Sequence, residues 1–151
     1  SKAKEKFWGN VHEVVAAKYD LQPVNAVDKF TLLCKNAINF DNIRNFKKHG
    51  NYIYRLEIDA LPPELDALRG IYGFFYEYNT PDLNSLAPVV NEKYQTLTYF
   101  GVDKTTLLDF VIKNRLRGID RIVPIGAALD IGVIWDGYDL VRSLSRVIEI
   151  K

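Results

Sequence analysis

The sequence predicts an α/β fold, a mostly parallel sheet flanked by helices, and three observations carry that expectation. Gln95–Gly101 (QTLTYFG) and Ile122–Gly126 (IVPIG) are short strand-like runs, separated by a helical pattern from Asp103 to about Leu116. Tyr52–Asp59 (YIYRLEID) alternates apolar and charged residues with the period of a strand. A balance of 48% apolar to 26% charged residues over 151 positions supports one ordinary core. Strand, helix, strand alternation argues for parallel pairing through crossover helices. One domain, residues 1–151, is the expectation.

The elements follow in chain order. Lys4 to about Tyr19 sets Phe7, Val11, Val14, Val15 and Lys18 on one helical stripe. Asp20–Pro23 interrupts it, since proline disfavours helical geometry in the residue before it. A second helix from about Asn25 aligns Val27, Phe30, Cys34, Ala37 and Ile38 as its buried face. Asp41–Gly50 is polar and basic and reads as a loop or a short turn of helix. In Tyr52–Asp59, Tyr52, Tyr54, Leu56 and Ile58 share one face and Arg55, Glu57 and Asp59 the other, as in a half-buried edge strand. Leu61–Arg69 reads as a short helix, Ile71–Tyr78 as an aromatic strand and Asn79–Val90 as loop. Asp103 is a good cap for a helix whose inner face offers Leu107, Leu108, Val111 and Ile112, with Gly118 as its stop. An Ile-Trp-Asp-Gly turn (Ile134–Gly137), a short helical pattern with Arg142 and Arg146, and a last apolar run, Val147–Ile150, complete the chain.

A net charge of +1 gives no electrostatic reason to expect nucleic acid or an anionic membrane as partner. No apolar run approaches the roughly 18 residues of a membrane span. A single cysteine forms no internal disulfide, which points to a reducing cytoplasm. The chain has no methionine and opens on Ser1-Lys2-Ala3, which reads as an excised or processed piece.

Candidate chemistry is sparse. Cys34 is the only thiol, but its apolar stripe makes it core packing rather than a nucleophile. Glu57 and Asp59 beside Arg55 read as a charge-balanced face rather than an acid/base pair. His12 and His49 lack ligands at metal spacing. Arg44, Lys47, Lys48 and His49 read as a solvated basic loop, and Gly101–Thr106 as a helix cap without the glycines of a phosphate loop. Right-handed crossover puts Gly101–Asp103 and Ile125–Gly126 at the carboxyl edge of the sheet, where ligands collect in open α/β folds. At Ile134–Gly137, Asp136 either caps the helix from about Tyr138 while Trp135 seals the core, or the turn lines a binding site.

The run GIDRIVPIGAALDIGVIWDGYDLVRSLSR, with QTLTYFGVDK before it, resembles the C-terminal end of LuxC-type fatty acyl-CoA reductases, which supply the aldehyde for bacterial luciferase. The resemblance is specific from about Tyr94 and loose from Phe7 to Tyr78. It implies the C-terminal part of an aldehyde-dehydrogenase-like catalytic domain that reduces a fatty acyl thioester with NADPH, through a thioester on a cysteine. It also implies that this cysteine and the nucleotide-binding domain lie outside the chain, that the fragment alone is inactive, and that the protein is a homo-oligomer. Gly126, Trp135, Asp136 and Gly137 are then substrate-binding candidates, with Gln95 and Arg121 as secondary, structural ones. The Glu-x-Phe-Gly-Pro motif of many aldehyde dehydrogenases has as its nearest stretch Leu68–Gly73, without the Glu or the Pro, so no cofactor contact is assigned. Two other classes compete. One is a free-standing interaction or oligomerisation module that pairs through Val147–Ile150. The other is a small ligand-binding α/β domain.

Overall fold

The computed structural model describes every residue from Ser1 to Lys151. Helices and small mixed sheets give an α/β protein in the general sense. Where the sequence reads as one domain, the chain gathers into two compact units, Ser1–Pro81 and Asp82–Lys151. The reason lies in the strand pairing, which closes within each stretch.

The first unit contains α1 (Lys2–Lys18), α2 (Pro23–Asn39), β1 (Ile43–His49), β2 (Ile53–Ile58) and β3 (Phe74–Tyr78). The sheet order is β1-β2-β3; β1 runs antiparallel and β3 parallel to β2. Asp41–Gly50 is thus largely a strand rather than a loop. Its polar residues suit an edge, and Gly50 at φ 55° turns the chain back into β2. Tyr52–Asp59 holds the centre of the sheet, not its edge. Ile53, Tyr54, Leu56 and Ile58 are buried, and so is Arg55 on the supposedly solvated face.

Each face of this sheet carries one helix. Tyr54, Leu56 and Phe74 form a core completed by Phe46, Tyr76 and Leu32 and Leu33 of α2. On the other face Trp8 of α1 packs on Phe75, with ring centroids 4.9 Å apart. The register of α2 overturns the expected burial. Val27, Phe30, Cys34 and Ile38 face outward, while Lys29 and Asn36 are buried. Polar tertiary bonds outweigh the apolar stripe here. The Lys29 ammonium donates to the carbonyls of Asn51 and Tyr52 and lies over the Tyr54 ring, and Asn36 donates to the Tyr76 hydroxyl at 2.8 Å. Burial pushes the Lys29 amine below its ordinary pKa. Leu61–Arg69 supplies only a 3-10 turn, Leu65–Ala67.

The second unit opens with a 3-10 helix (Leu83–Val89), where the sequence reads as loop, and continues with β4 (Thr96–Tyr99), α3 (Lys104–Asn114) and β5 (Arg121–Pro124). A hairpin of β6 (Ile134–Trp135) and β7 (Tyr138–Asp139) then leads into the short α4 (Leu140–Leu144). β4 and β5 pair in parallel from Thr96↔Arg121 to Tyr99↔Pro124, with α3 as the crossover. The Asp103 carboxylate accepts from the Thr106 backbone at 2.8 Å and from its hydroxyl at 2.6 Å, which holds the Asp103 carboxyl below its ordinary pKa. The inner face of α3 is Leu107 and Phe110; Leu108 and Ile112 are exposed. α3 ends at Arg115 in the left-handed region (φ 48°) rather than at Gly118. Gly118 serves a close approach instead: a Cβ there would lie 2.2 Å from the Asn91 carbonyl oxygen.

Across the molecule two strand pairings are parallel and two antiparallel, so the sheet content is mixed rather than mostly parallel. Val147–Ile150 forms no strand and is exposed. No helix is long and apolar enough to cross a membrane.

Candidate functional site

The segment after β5 folds back on itself around one side chain. Arg121, at the start of β5, donates to the carbonyl of Ala128 at 3.1 Å and to that of Asp130 at 2.8 Å. Its guanidinium also stacks on the Trp135 ring, 4.3 Å from the centroid. A planar guanidinium lays its face on the ring while the donors along its edge reach both carbonyls. Arg121 therefore fixes where the loop ends and where the Trp135 hairpin begins.

At the tip of that hairpin Asp136 (φ 48°) and Gly137 (φ 78°) occupy a two-residue turn with both φ values positive. Asp-Gly is the favoured pair for such a turn, because Asp tolerates the left-handed region and Gly is indifferent to it. Asp136 consequently caps no helix. The cap of α4 is Asp139, which accepts from the Arg142 backbone N–H at 3.0 Å. Trp135 is half-buried against Arg121.

A cleft of about 530 Å3 opens beside this turn, lined by Glu92, Gln95, Gly118, Asp120, Asp136, Gly137 and Tyr138. Among the candidates named from sequence, Gln95, Asp136 and Gly137 meet here. Trp135 and Arg121 stand behind the turn, and Gly126 (φ 96°) lies in the loop beyond β5, outside the lining. Sequence reasoning missed Glu92 and Asp120. Asp120 is legible only through the turn, since a Cβ on Gly137 would stand 3.2 Å from its Oδ1. Three carboxylates and no cation line the cleft, so it suits hydroxyl, amide or cationic groups and not phosphate. The carboxyl ends of β4 and β5 do lie side by side, with the Ile125 N–H donating to the Tyr99 carbonyl at 3.0 Å.

The first unit holds a different constellation. Arg55, 1% exposed, donates from Nε and Nη2 to Glu77 at 3.1–3.3 Å and from Nη1 to Glu5 at 3.2 Å. Trp8 donates its indole N–H to Glu77 at 2.6 Å and lies 4.9 Å from the Arg55 guanidinium. Lys4 completes Glu77 at 3.2 Å and Lys47 completes Glu5 at 2.9 Å. His49 stands 3.3 Å from Arg55 and 5.9 Å, centroid to centroid, from His12. Three cations share two carboxylates, and each has an oppositely charged partner, which makes this a tie between α1 and the sheet. Of the basic residues of β1, Arg44 pairs with Asp59 and Lys47 with Glu5. No group of three His, Cys, Asp or Glu side chains could hold a metal ion.

Scanned against family models, curated proteins and solved structures, the chain finds no match.

Proposed function

We propose that this chain is the C-terminal region of a LuxC-type acyl-CoA reductase, part of an aldehyde-dehydrogenase-like catalytic domain. The parent reduces a fatty acyl thioester to the aldehyde with NADPH, through a thioester on a cysteine outside this chain, in the cytoplasm. The observation that supports the reading most is the way the resembling segment is organised. Arg121 at its start, the carbonyls of Ala128 and Asp130 in its middle and Trp135 near its end form one clasp. That clasp presents Asp136 and Gly137 to a cleft shared with Gln95.

In this reading Arg121 and Trp135 are positioning residues, and Asp136 and Gly137 form wall at the thioester end of the substrate. The polar lining fits the carbonyl and amide groups of a thioester donor; apolar walls for the acyl chain come from the remainder of the parent. NADPH does not fit the residues present. Its phosphates would meet Glu92, Asp120 and Asp136 with no lining cation, and Asp103 already caps α3. No step is assigned to the cofactor here. Cys34 carries no acyl group in this proposal, being neither in the cleft nor near a base that would activate it.

The test has two arms. The purified chain, given acyl-CoA and NADPH, is expected to oxidise no NADPH; measurable oxidation sinks the fragment reading. The coding sequence upstream of Ser1 is expected to continue in frame to a nucleotide-binding domain and a cysteine. In that parent Trp135→Ala is expected to raise KM for the acyl thioester about tenfold. A start codon directly before Ser1, with an inactive product, overturns the proposal.

A further inference from the structure

The outward face of α2 is organised as a seam. Val24, Val27, Thr31, Cys34 and Ile38 follow the alternating three- and four-residue spacing of a heptad, with Phe30 and Ala37 along one edge. Val24, Val27, Phe30 and Ile38 are 58–81% exposed. Rotating the helix to bury this seam would withdraw Lys29 from the Asn51 and Tyr52 carbonyls and Asn36 from Tyr76. The buried polar contacts thus hold the apolar side outward.

We propose that this seam is a two-fold interface with α2 of a second copy of the chain, the two helices running antiparallel. The charges beside the seam select that occupant and that direction. Asp28 and Lys35 lie on its other edge, seven residues apart, at equivalent heptad positions. In an antiparallel two-fold pair like positions face one another, so Asp28 meets the partner's Lys35 and Lys35 meets the partner's Asp28. A parallel pair would set Lys35 beside the partner's Phe30 and form neither contact. The layers also match in size: Val27 opposes the partner's Ile38, and the small Thr31 opposes the partner's Cys34 across the axis. The seam runs about 21 Å along the helix. Two such faces supply on the order of 1,000 Å2 of buried surface, the lower bound for a specific interface. This interface stands independently of the enzymatic reading.

Sedimentation of the chain over a range of concentrations tests it. A reversible monomer–dimer equilibrium is expected. Val27→Glu is expected to abolish the dimer while leaving the circular dichroism unchanged, because Val27 is solvent-facing in the monomer. Asp28→Lys is expected to weaken dimerisation about tenfold, and adding Lys35→Asp to restore it. A short thiol–thiol cross-linker is expected to trap a covalent dimer through Cys34, the only cysteine. A chain that stays monomeric at high micromolar concentration, as when another partner covers the seam, overturns the proposal. So does a dimer indifferent to Val27→Glu, or a double charge exchange no stronger than the single one.

Discussion

Arg55 shows how far one side chain can decide a unit's stability. Its guanidinium is out of water and bonded to two carboxylates from different elements, so removing it leaves Glu77, in a nearly buried place, with only Lys4 and the Trp8 indole as partners. Arg55→Met is expected to cost about 3–5 kcal/mol, read from urea unfolding by circular dichroism. A loss below about 1 kcal/mol would class the network with exposed ion pairs. Glu5 gives the same network a pH signature. Hydrogen bonds from Lys47 and then Arg55 lower its carboxyl from 4.5 to about 2. A depressed carboxylate stabilises the fold fully above the unfolded value and loses that contribution as pH falls toward the folded one. Stability should therefore decline between about pH 4.5 and 2. Glu5→Gln should flatten that limb of the acid unfolding curve; an unchanged limb would remove Glu5 from the network.

At the scale of elements, two glycines separate propensity from geometry. Gly9 lies inside α1, and an added Cβ would meet nothing within 4 Å, so Gly9→Ala should stabilise by about 0.5–1 kcal/mol. Gly118→Ala should instead disrupt the second unit, because its Cβ would drive into the Asn91 carbonyl and its φ is 134°. Thermal melts of both variants check the opposite signs. The parallel pair of β4 and β5, the α3 crossover, the Asp103 cap and the Asp-Gly turn are legible in sequence: the cap and the turn depend on neighbours within a few residues, and the pairing follows from the strand, helix, strand order. Less legible was anything set by a distant partner. β1 looks like a loop because its residues are polar, and only pairing with β2 makes it a strand. α2 looks buried along its apolar stripe, and only the carbonyls at Asn51 and Tyr52 explain why Lys29 turns inward instead. In the cleft, the Asp136-Gly137 turn was readable while Glu92 and Asp120 were not, because nothing in their local pattern announces the fold-back that Arg121 imposes.

At the scale of the whole molecule, the division after Pro81 carries its own prediction. Residues 1–81 should fold alone and unfold cooperatively, since the three-stranded sheet and both of its helices lie within them. The two tryptophans report the units separately, Trp8 the first and Trp135 the second. Arg55→Met should shift the Trp8 transition and leave that of Trp135 in place; a joint shift would mean that the two units melt as one. Lys29 offers another readout of the first unit. Exposed amines such as Lys6 and Lys104 are open to acylating reagents in the native fold, but the Lys29 amine is fully enclosed. Its modification has to wait for α2 to lift from the sheet, so mass spectrometry of that one peptide over time works as a clock for transient opening.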